Sequence, residues 1–442
     1  MKKISSLLLA VVLAFGIGAQ GVLAAPQTKK LLPVEPRVKA KAAISFDVTA
    51  DEVILEKNMN EKMYPASITK LMTALLLAEN TAPDKDLPIS KVPLEQPAFA
   101  INKSMYILYP GDTIKAEAAM KAILLPSAND IAVVAAEDVG GSVAGFVTMM
   151  NEKAKELGMN NTNFANPSGL HDPNHYTTAA DLVKLVKAAY ENDWVRETIA
   201  TETANIRTEN QKVGEIKNSN QLLGKDGNVG GKTGFTDEAG RCLVGVYVRD
   251  GREIIQVLLN DGDSVRSTLV FTDMGNLANE AYALEKIAMV EKDTPVDSIT
   301  AEYKLFRWFG PTRKVQIKAT IQDDLLLYNN TANYVEGGIV PVITPIKDLN
   351  VFELREGNPV AEVTVVSNGK TLTTKAISQT NTMDSIIMPN AVPYLAMAIG
   401  LFLLFIIILI IIYKLLRSRK STQRNIRSHR QVKRRKASKH RY

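Results

Sequence analysis

The sequence predicts an α/β fold of the α+β kind: an antiparallel sheet flanked by helices, with a helical insert, then a small all-β domain and a carboxyl-terminal membrane-spanning helix. Three observations predict it. Strand-like segments at residues 42–58 and 241–260 bracket a block of helical runs, so that the two ends of one domain supply its strands. After residue 294 the apolar period drops to two. Finally, Tyr394–Tyr413 is a run of 20 residues without a charge, which at about 1.5 Å per residue matches a hydrocarbon core of roughly 30 Å.

The elements follow in order. The amino terminus has two lysines, an apolar stretch from Leu7 to Val22 and small residues at Val22, Ala24 and Ala25 before Pro26, which reads as a secretory signal over residues 1–25. Residues 42–58, AAISFDVTADEVILEKN, form two strands around a polar turn at Thr49–Glu52 and open a domain spanning residues 35–290. In YPASITKLMT and the residues after it, Ile68, Leu71, Met72, Leu75 and Leu76 recur at the spacing of one buried helix face. KAEAAMKAILL, DIAVVAAEDV, VAGFVTMMNEKAKELG and AADLVKLVKAAY, separated by Pro, Gly and Asn breaks, make the helical insert. RCLVGVYVRDGREIIQVLLN carries two strands joined across Asp250-Gly251, and a helical run follows from about Ser267 to Ala288.

Residues 294–377 read as a separate β domain: Val315, Ile317, Ala319 and Ile321 alternate with polar residues, and VAEVTVV and KTLTTKAI flank Asn368-Gly369, a hairpin signal. Residues 378–393 read as a linker, 394–413 as the span, and 414–442 as a basic cytoplasmic tail. That tail holds 13 Lys and Arg and no acid, so removing it from the net charge of +6 leaves about −7 for the rest. Directly after a span, the positive-inside rule and contact with anionic lipid account for such a tail without a nucleic-acid partner. Cys242 is the single cysteine, so no intramolecular disulfide forms; within CLVGVYV it reads as a small buried side chain rather than a nucleophile.

Three short motifs carry chemistry. Ser67 and Lys70 stand three residues apart, on neighbouring positions of one helix face, where an amine can take the proton of a hydroxyl. A lysine of ordinary pKa, near 10.4, is charged and cannot do so; desolvation and a second cation are required. Ser127 and Asn129, in ILLPSANDIAVVAAE, lie at a break between apolar helices, where they could relay a proton and hold an amide, or simply cap the next helix. Lys232-Thr233-Gly234 precedes the later hairpin; a phosphate loop would need glycine where Asp226 stands, and that reading fails. On a strand edge, Lys232 would supply the second cation and Gly234 would admit a substrate backbone. His171 and His175 are separated by Pro173, which breaks the helix a metal pair would need, so no metal is expected.

In this order the three motifs resemble the set S-x-x-K, S-x-N, K-T-G of the penicillin-recognising serine enzymes. PASITKLMT, LLPSANDIAVVAAE, NPSGLHDPNHYTTAADL and GGKTGFTDEAGRCLVG look like segments of the D-alanyl-D-alanine carboxypeptidases, the low-molecular-mass penicillin-binding proteins, over about residues 35–385. The resemblance implies a penicillin-recognising fold for residues 35–290 and a set of roles. Ser67 would be the acyl-forming nucleophile, Lys70 its base, Ser127 and Asn129 the relay and substrate grip, and Lys232 with Thr233 the carboxylate contact beside Gly234. The N–H groups of Ser67 and Phe235 would form the oxyanion hole, and Arg266, in GDSVRSTL, would assist with the substrate carboxylate. It further implies removal of the terminal D-alanine from peptidoglycan pentapeptides without a cofactor, and inhibition by β-lactams. The family's anchor is often an amphipathic helix, whereas the long, uniformly apolar segment and basic tail here point to a single-pass bacterial membrane protein with its catalytic domain outside. A β-lactamase and a non-catalytic penicillin-sensing or wall-binding protein are the alternatives.

Overall fold

The computed structural model describes residues 33–97, 101, 108–210, 212–306, 310–334, 340–367 and 370–438. The expected signal at 1–25 and the Asn368-Gly369 turn lie outside them.

From the amino-terminal side, β1 (Ala42–Asp47) and β2 (Glu52–Lys57) form the expected hairpin. A short 3-10 turn, Ala66–Thr69, leads into α1 (Lys70–Asn80). The small ribbon of β3 (Asp86–Pro88) and β4 (Thr113–Lys115) precedes α2 (Ala116–Leu124), α3 (Asn129–Gly140), α4 (Val143–Glu156), α5 (Ala179–Glu191) and α6 (Asp193–Ile199). Three of these helices begin where a polar side chain takes an orphan N–H: Ser142 accepts from Gly145, Thr178 from Asp181 and Asn192 from Val195. Helix α3 stops at Gly141, whose φ of +67° suits glycine.

A second ribbon, β5 (Thr203–Arg207) with β6 (Lys212–Lys217), leads to β7 (Asn228–Thr236), β8 (Gly240–Arg249) and β9 (Arg252–Leu259). The β8–β9 turn has φ of +50° at Asp250 and +76° at Gly251, the double positive φ that a tight hairpin needs. β9 pairs with β1, so the chain's two ends close one antiparallel sheet in the order β2-β1-β9-β8-β7. Helix α7 (Leu269–Ala283) packs Val270, Met274 and Leu277 on one face of this sheet, against Leu243, Tyr247 and Leu258; the helical insert covers the other.

Two details of this first domain differ from the sequence reading. Helix α1 buries every residue from Lys70 to Leu77, because α2, α3 and α5 wrap it, so it is a central core helix rather than a one-sided one. Helix α7 ends at Ala283, not near 288, because Ile287–Val290 form strand β10, which pairs with β13 (Leu325–Leu327).

The later residues build a six-stranded sheet. Together with β11 (Pro295–Lys304) and β12 (Thr312–Ile321), it contains β14 (Val342–Pro345), β15 (Leu349–Asn350), β16 (Pro359–Ser367) and β17 (Lys370–Ser378), in the order β14-β16-β17-β12-β11-β15. It encloses its own core of Ile299, Ile317, Ile321, Val363, Val365 and Ala376. Polar contacts fasten it to the first sheet. The Lys370 ammonium donates to the Ala50 carbonyl at 2.7 Å and pairs with the buried Glu52 at 3.2 Å. Asn330 Nδ2 donates to the Val53 and Ile54 carbonyls at 2.7 and 3.0 Å, covering the open edge of β2.

Residues 378–393, expected as a linker, are folded onto this domain. A π-helical turn at Met383–Ile387 and a 3-10 turn at Met388–Asn390 bury Ile386 in the β core, and Asn390 Nδ2 donates to the Tyr303 hydroxyl at 2.9 Å. They run into α8 (Ala391–Ser438), which continues past the expected end of the span at 413 into the basic tail. Met383–Ser418 holds an apolar window long enough to cross a membrane, none of it buried.

Candidate active site

Ser67 sits in the 3-10 turn that enters α1, one residue after Ala66, whose φ of +47° is rare for a residue with a side chain. Neighbouring backbone holds that conformation. A Cβ on Gly169 would stand 1.9 Å from the Ala66 carbonyl oxygen, so the 166–170 loop touches this turn through bare backbone. On the other side a Cβ on Gly234 would stand 3.1 Å from the Ala66 Cβ and 3.2 Å from the Ser67 nitrogen. Strand β7 therefore lies directly against the amide of the serine, and glycine at 234 permits that approach.

One turn along, Lys70 is fully buried. Its Nζ lies 3.0 Å from Ser67 Oγ, 2.7 Å from Asn129 Oδ1 and 2.6 Å from the Ser168 carbonyl oxygen. Burial, then repulsion from Lys232, hold its pKa well below the ordinary lysine value, against an opposing pull from Asp130. Its three partners decide what the amine can do once it carries no extra proton. Asn129 Oδ1 and the Ser168 carbonyl can only accept, so they occupy its two N–H bonds and leave the lone pair directed at the Ser67 hydroxyl. That is the arrangement a general base requires.

Asn129 opens α3 and Ser127 stands just before it, with φ of +72°. The Ser127 hydroxyl is buried without a hydrogen-bond partner among the described residues. An orphan hydroxyl held in strained backbone is a costly feature in a structural cap, and here Asn129 faces the lysine instead of capping α3.

Lys232 is buried on β7, and its ammonium donates to the Thr233 carbonyl at 3.0 Å. Burial and the nearby Arg241 guanidinium bring its pKa down to about 7. Thr233 Oγ1 is 2.6 Å from Ser219 Oγ. Phe235 is half-buried at the end of β7, opposite Arg241. The structure thus gathers Ser67, Lys70, Asn129, Lys232 and Gly234 about one turn of backbone. Arg266 is apart from them: it is exposed in the loop after β9, its N–H donates to Ser264 Oγ, and no described contact joins it to the cluster. That loop is tied to the start of β8 by the Arg241 N–H, which donates to the Gly262 carbonyl at 2.8 Å.

Several contributors escape motif reading. Asn166 accepts at Oδ1 from the N–H groups of Ser168, Gly169 and Leu170, fixing the carbonyl that Lys70 uses. Thr73 donates to the Pro167 carbonyl at 2.6 Å from one turn further along α1. The signal for this loop was NPSG, an Asn-Pro turn closed by glycine. His175 accepts at Nδ1 from the Ala165 N–H, so its proton sits on Nε2 and is shared with Thr69 Oγ1 at 2.8 Å. Burial holds its pKa near 4 and leaves it neutral, a wall of the site. Cys242 is buried, and its thiol is pushed up to about 12, which suits a packing residue. No cluster of metal-ligating side chains occurs among the described residues.

Comparison with known proteins places this geometry in context. A family model described as D-alanyl-D-alanine carboxypeptidase matches residues 29–263. The chain is 33% identical over 245 residues to D-alanyl-D-alanine carboxypeptidase DacF of Bacillus subtilis, covering 55% of this chain and 63% of that one. It is 34% identical over 292 residues to DacC, another D-alanyl-D-alanine carboxypeptidase, from Escherichia coli, covering 64% and 70%. Among solved structures, the Streptomyces K15 DD-transpeptidase superposes with a TM-score of 0.53 at 27% identity, covering 57% of this chain and all of that one.

Proposed function

The chain belongs to the D-alanyl-D-alanine carboxypeptidase family, and on that premise we propose that it removes the terminal D-alanine from peptidoglycan stem pentapeptides through a Ser67 acyl-enzyme. The observation that carries the proposal is the 3.0 Å contact between Lys70 Nζ and Ser67 Oγ, with the other two partners of the amine both acceptors.

The neutral Lys70 amine takes the Ser67 proton as Oγ attacks the penultimate D-Ala carbonyl carbon. The N–H groups of Ser67 and Phe235 receive the developing oxyanion. The C–N bond breaks, and the proton held by Lys70 passes through the Ser127 hydroxyl to the departing D-alanine nitrogen. Water then adds to the ester as Lys70 accepts its proton; the ester C–O bond breaks, Lys70 returns that proton to Ser67 Oγ, and the shortened peptide leaves as its carboxylic acid. Asn129 holds the substrate amide, and Lys232 and Thr233 face the terminal carboxylate. A β-lactam carries an acyl centre and a carboxylate at comparable positions and acylates the same serine.

The β domain of residues 294–377 holds the catalytic domain of residues 35–290 off the membrane. Helix α8 spans the bilayer, with the catalytic domain outside and the basic tail on the cytoplasmic side. Release of D-alanine from a peptide ending in D-Ala-D-Ala tests the activity: wild type turns over and Ser67→Ala does not. A wild-type protein that releases none refutes the reading, and rapid multiple turnover of penicillin would make it a β-lactamase instead.

A further inference from the structure

Ser219 is a polar residue outside the three motifs that touches one of them and the loop leading into another. It follows β6, its N–H donates to the Leu125 carbonyl at 3.1 Å, two residues ahead of Ser127, and its hydroxyl lies 2.6 Å from that of Thr233. It therefore bridges the loop of the second motif and the strand of the third.

Its neighbours cannot drift. Asn218 Nδ2 donates to the Ile199 and Thr201 carbonyls at 3.1 and 3.0 Å. Asn220 is buried; its Nδ2 donates to Asn228 Oδ1 at 3.0 Å and its Oδ1 accepts from the Leu222 N–H at 3.1 Å. Strand β7 lies close behind this turn, since a Cβ on Gly231 would stand 3.2 Å from Asn220 Nδ2. Ser219 is thus clamped from both sides with its hydroxyl aimed at Thr233.

Two hydroxyls in contact share one hydrogen bond, and in the free protein either can be the donor. A carboxylate removes that freedom. It only accepts, so the Thr233 proton turns to it, and the Thr233 oxygen must then accept from Ser219. The chain runs one way, from the Ser219 O–H to Thr233 Oγ1 and from the Thr233 O–H to the carboxylate, and each bond polarises the next.

We infer that Ser219 is a positioning residue that fixes the direction of the Thr233 hydroxyl and so sets the preference of this site for a ligand bearing a free carboxylate. The inference rests on the reading of Thr233 as a carboxylate contact. It makes Ser219 a determinant of specificity, without contact to the reacting atoms.

The test uses the full chain and two probes, benzylpenicillin and its methyl ester, with second-order acylation constants measured for wild type, Ser219→Ala, Ser219→Thr and Ser219→Cys. Ser219→Ala should lose about tenfold with the acid, the size of one hydrogen bond to a charged chain, and less than twofold with the ester. Ser219→Thr should restore the acid. On a D-Ala-D-Ala peptide the loss should appear mainly in KM. Equal losses with acid and ester show a merely structural residue and overturn the inference, as does no loss with the acid. If Ser219→Ala does not fold, Ser219→Cys makes the same comparison, its weak S–H donor predicting a loss confined to the acid. A wild type acylated by neither probe overturns the underlying reading and the inference with it.

Discussion

Replacing Gly169 by alanine should disable the nucleophile from outside the three motifs. The new Cβ would stand 1.9 Å from the Ala66 carbonyl oxygen, 2.4 Å from its carbon and 2.9 Å from Thr69 Oγ1. Restoring even a 3.0 Å contact requires a shift of about 1.1 Å, and Gly169 also has φ of +81°, which alanine adopts at a cost of roughly 1–2 kcal/mol. Either side of the contact matters. Moving Ala66 moves Ser67, its neighbour; moving Gly169 moves the Ser168 carbonyl, 2.6 Å from Lys70 Nζ. A misplacement of about 1 Å costs on the order of 100-fold in rate. The acylation constant with labelled penicillin should fall by about that factor while the protein stays folded by circular dichroism. A folded Gly169→Ala protein that acylates within threefold of wild type would refute the view that this backbone contact sets the serine's position.

Three further outcomes follow from the electrostatics. Lys232 has its pKa brought down to about 7 by burial and by Arg241, so its charge is lost as pH rises through 7; carboxylate binding should weaken over that range, and Arg241→Gln should move the rise in KM to higher pH, whereas an unmoved profile contradicts the pairing. His175 has a folded pKa of about 4 against an ordinary 6.5, so the unfolded chain binds the proton more readily, and stability present above pH 6.5 is lost as pH falls toward 4. The loss amounts to about 3 kcal/mol, and melting temperatures should show it in wild type and a flatter profile in His175→Gln. Cys242, buried with its thiol at about 12, should resist an aromatic disulfide reagent in the native protein and react once in denaturant; prompt native labelling would contradict its burial.

The motif residues were legible because their chemistry depends on short spacings. Ser67 and Lys70 share a helix turn, and the need of Lys70 for a second cation led to Lys232, which repels it in the structure. Strands and helices were legible from period and turn residues, as at Asp250-Gly251. What the sequence concealed is tertiary. Nothing local announces that Ala66 takes a positive φ, or that Gly169, about a hundred residues away, packs bare backbone against its carbonyl. The Ser168 carbonyl is a backbone atom with no residue signature, and Ser219 is an ordinary serine until Thr233 is beside it. Residues 378–393 read as a linker because their polar and apolar residues lack a period, yet Ile386 and Asn390 dock on the β domain. Arg266 was singled out by resemblance alone, and its exposed loop shows no described contact with the cluster.

The central claim is that Ser67, activated by Lys70, is the group that becomes acylated. Peptide mapping by mass spectrometry after incubation with benzylpenicillin tests it most directly. One penicilloyl group on the peptide carrying Ser67, absent from Ser67→Ala and formed at least about 100-fold more slowly in Lys70→Met, is the expected result. An adduct on any other residue, or an unchanged rate without the Lys70 amine, would contradict it.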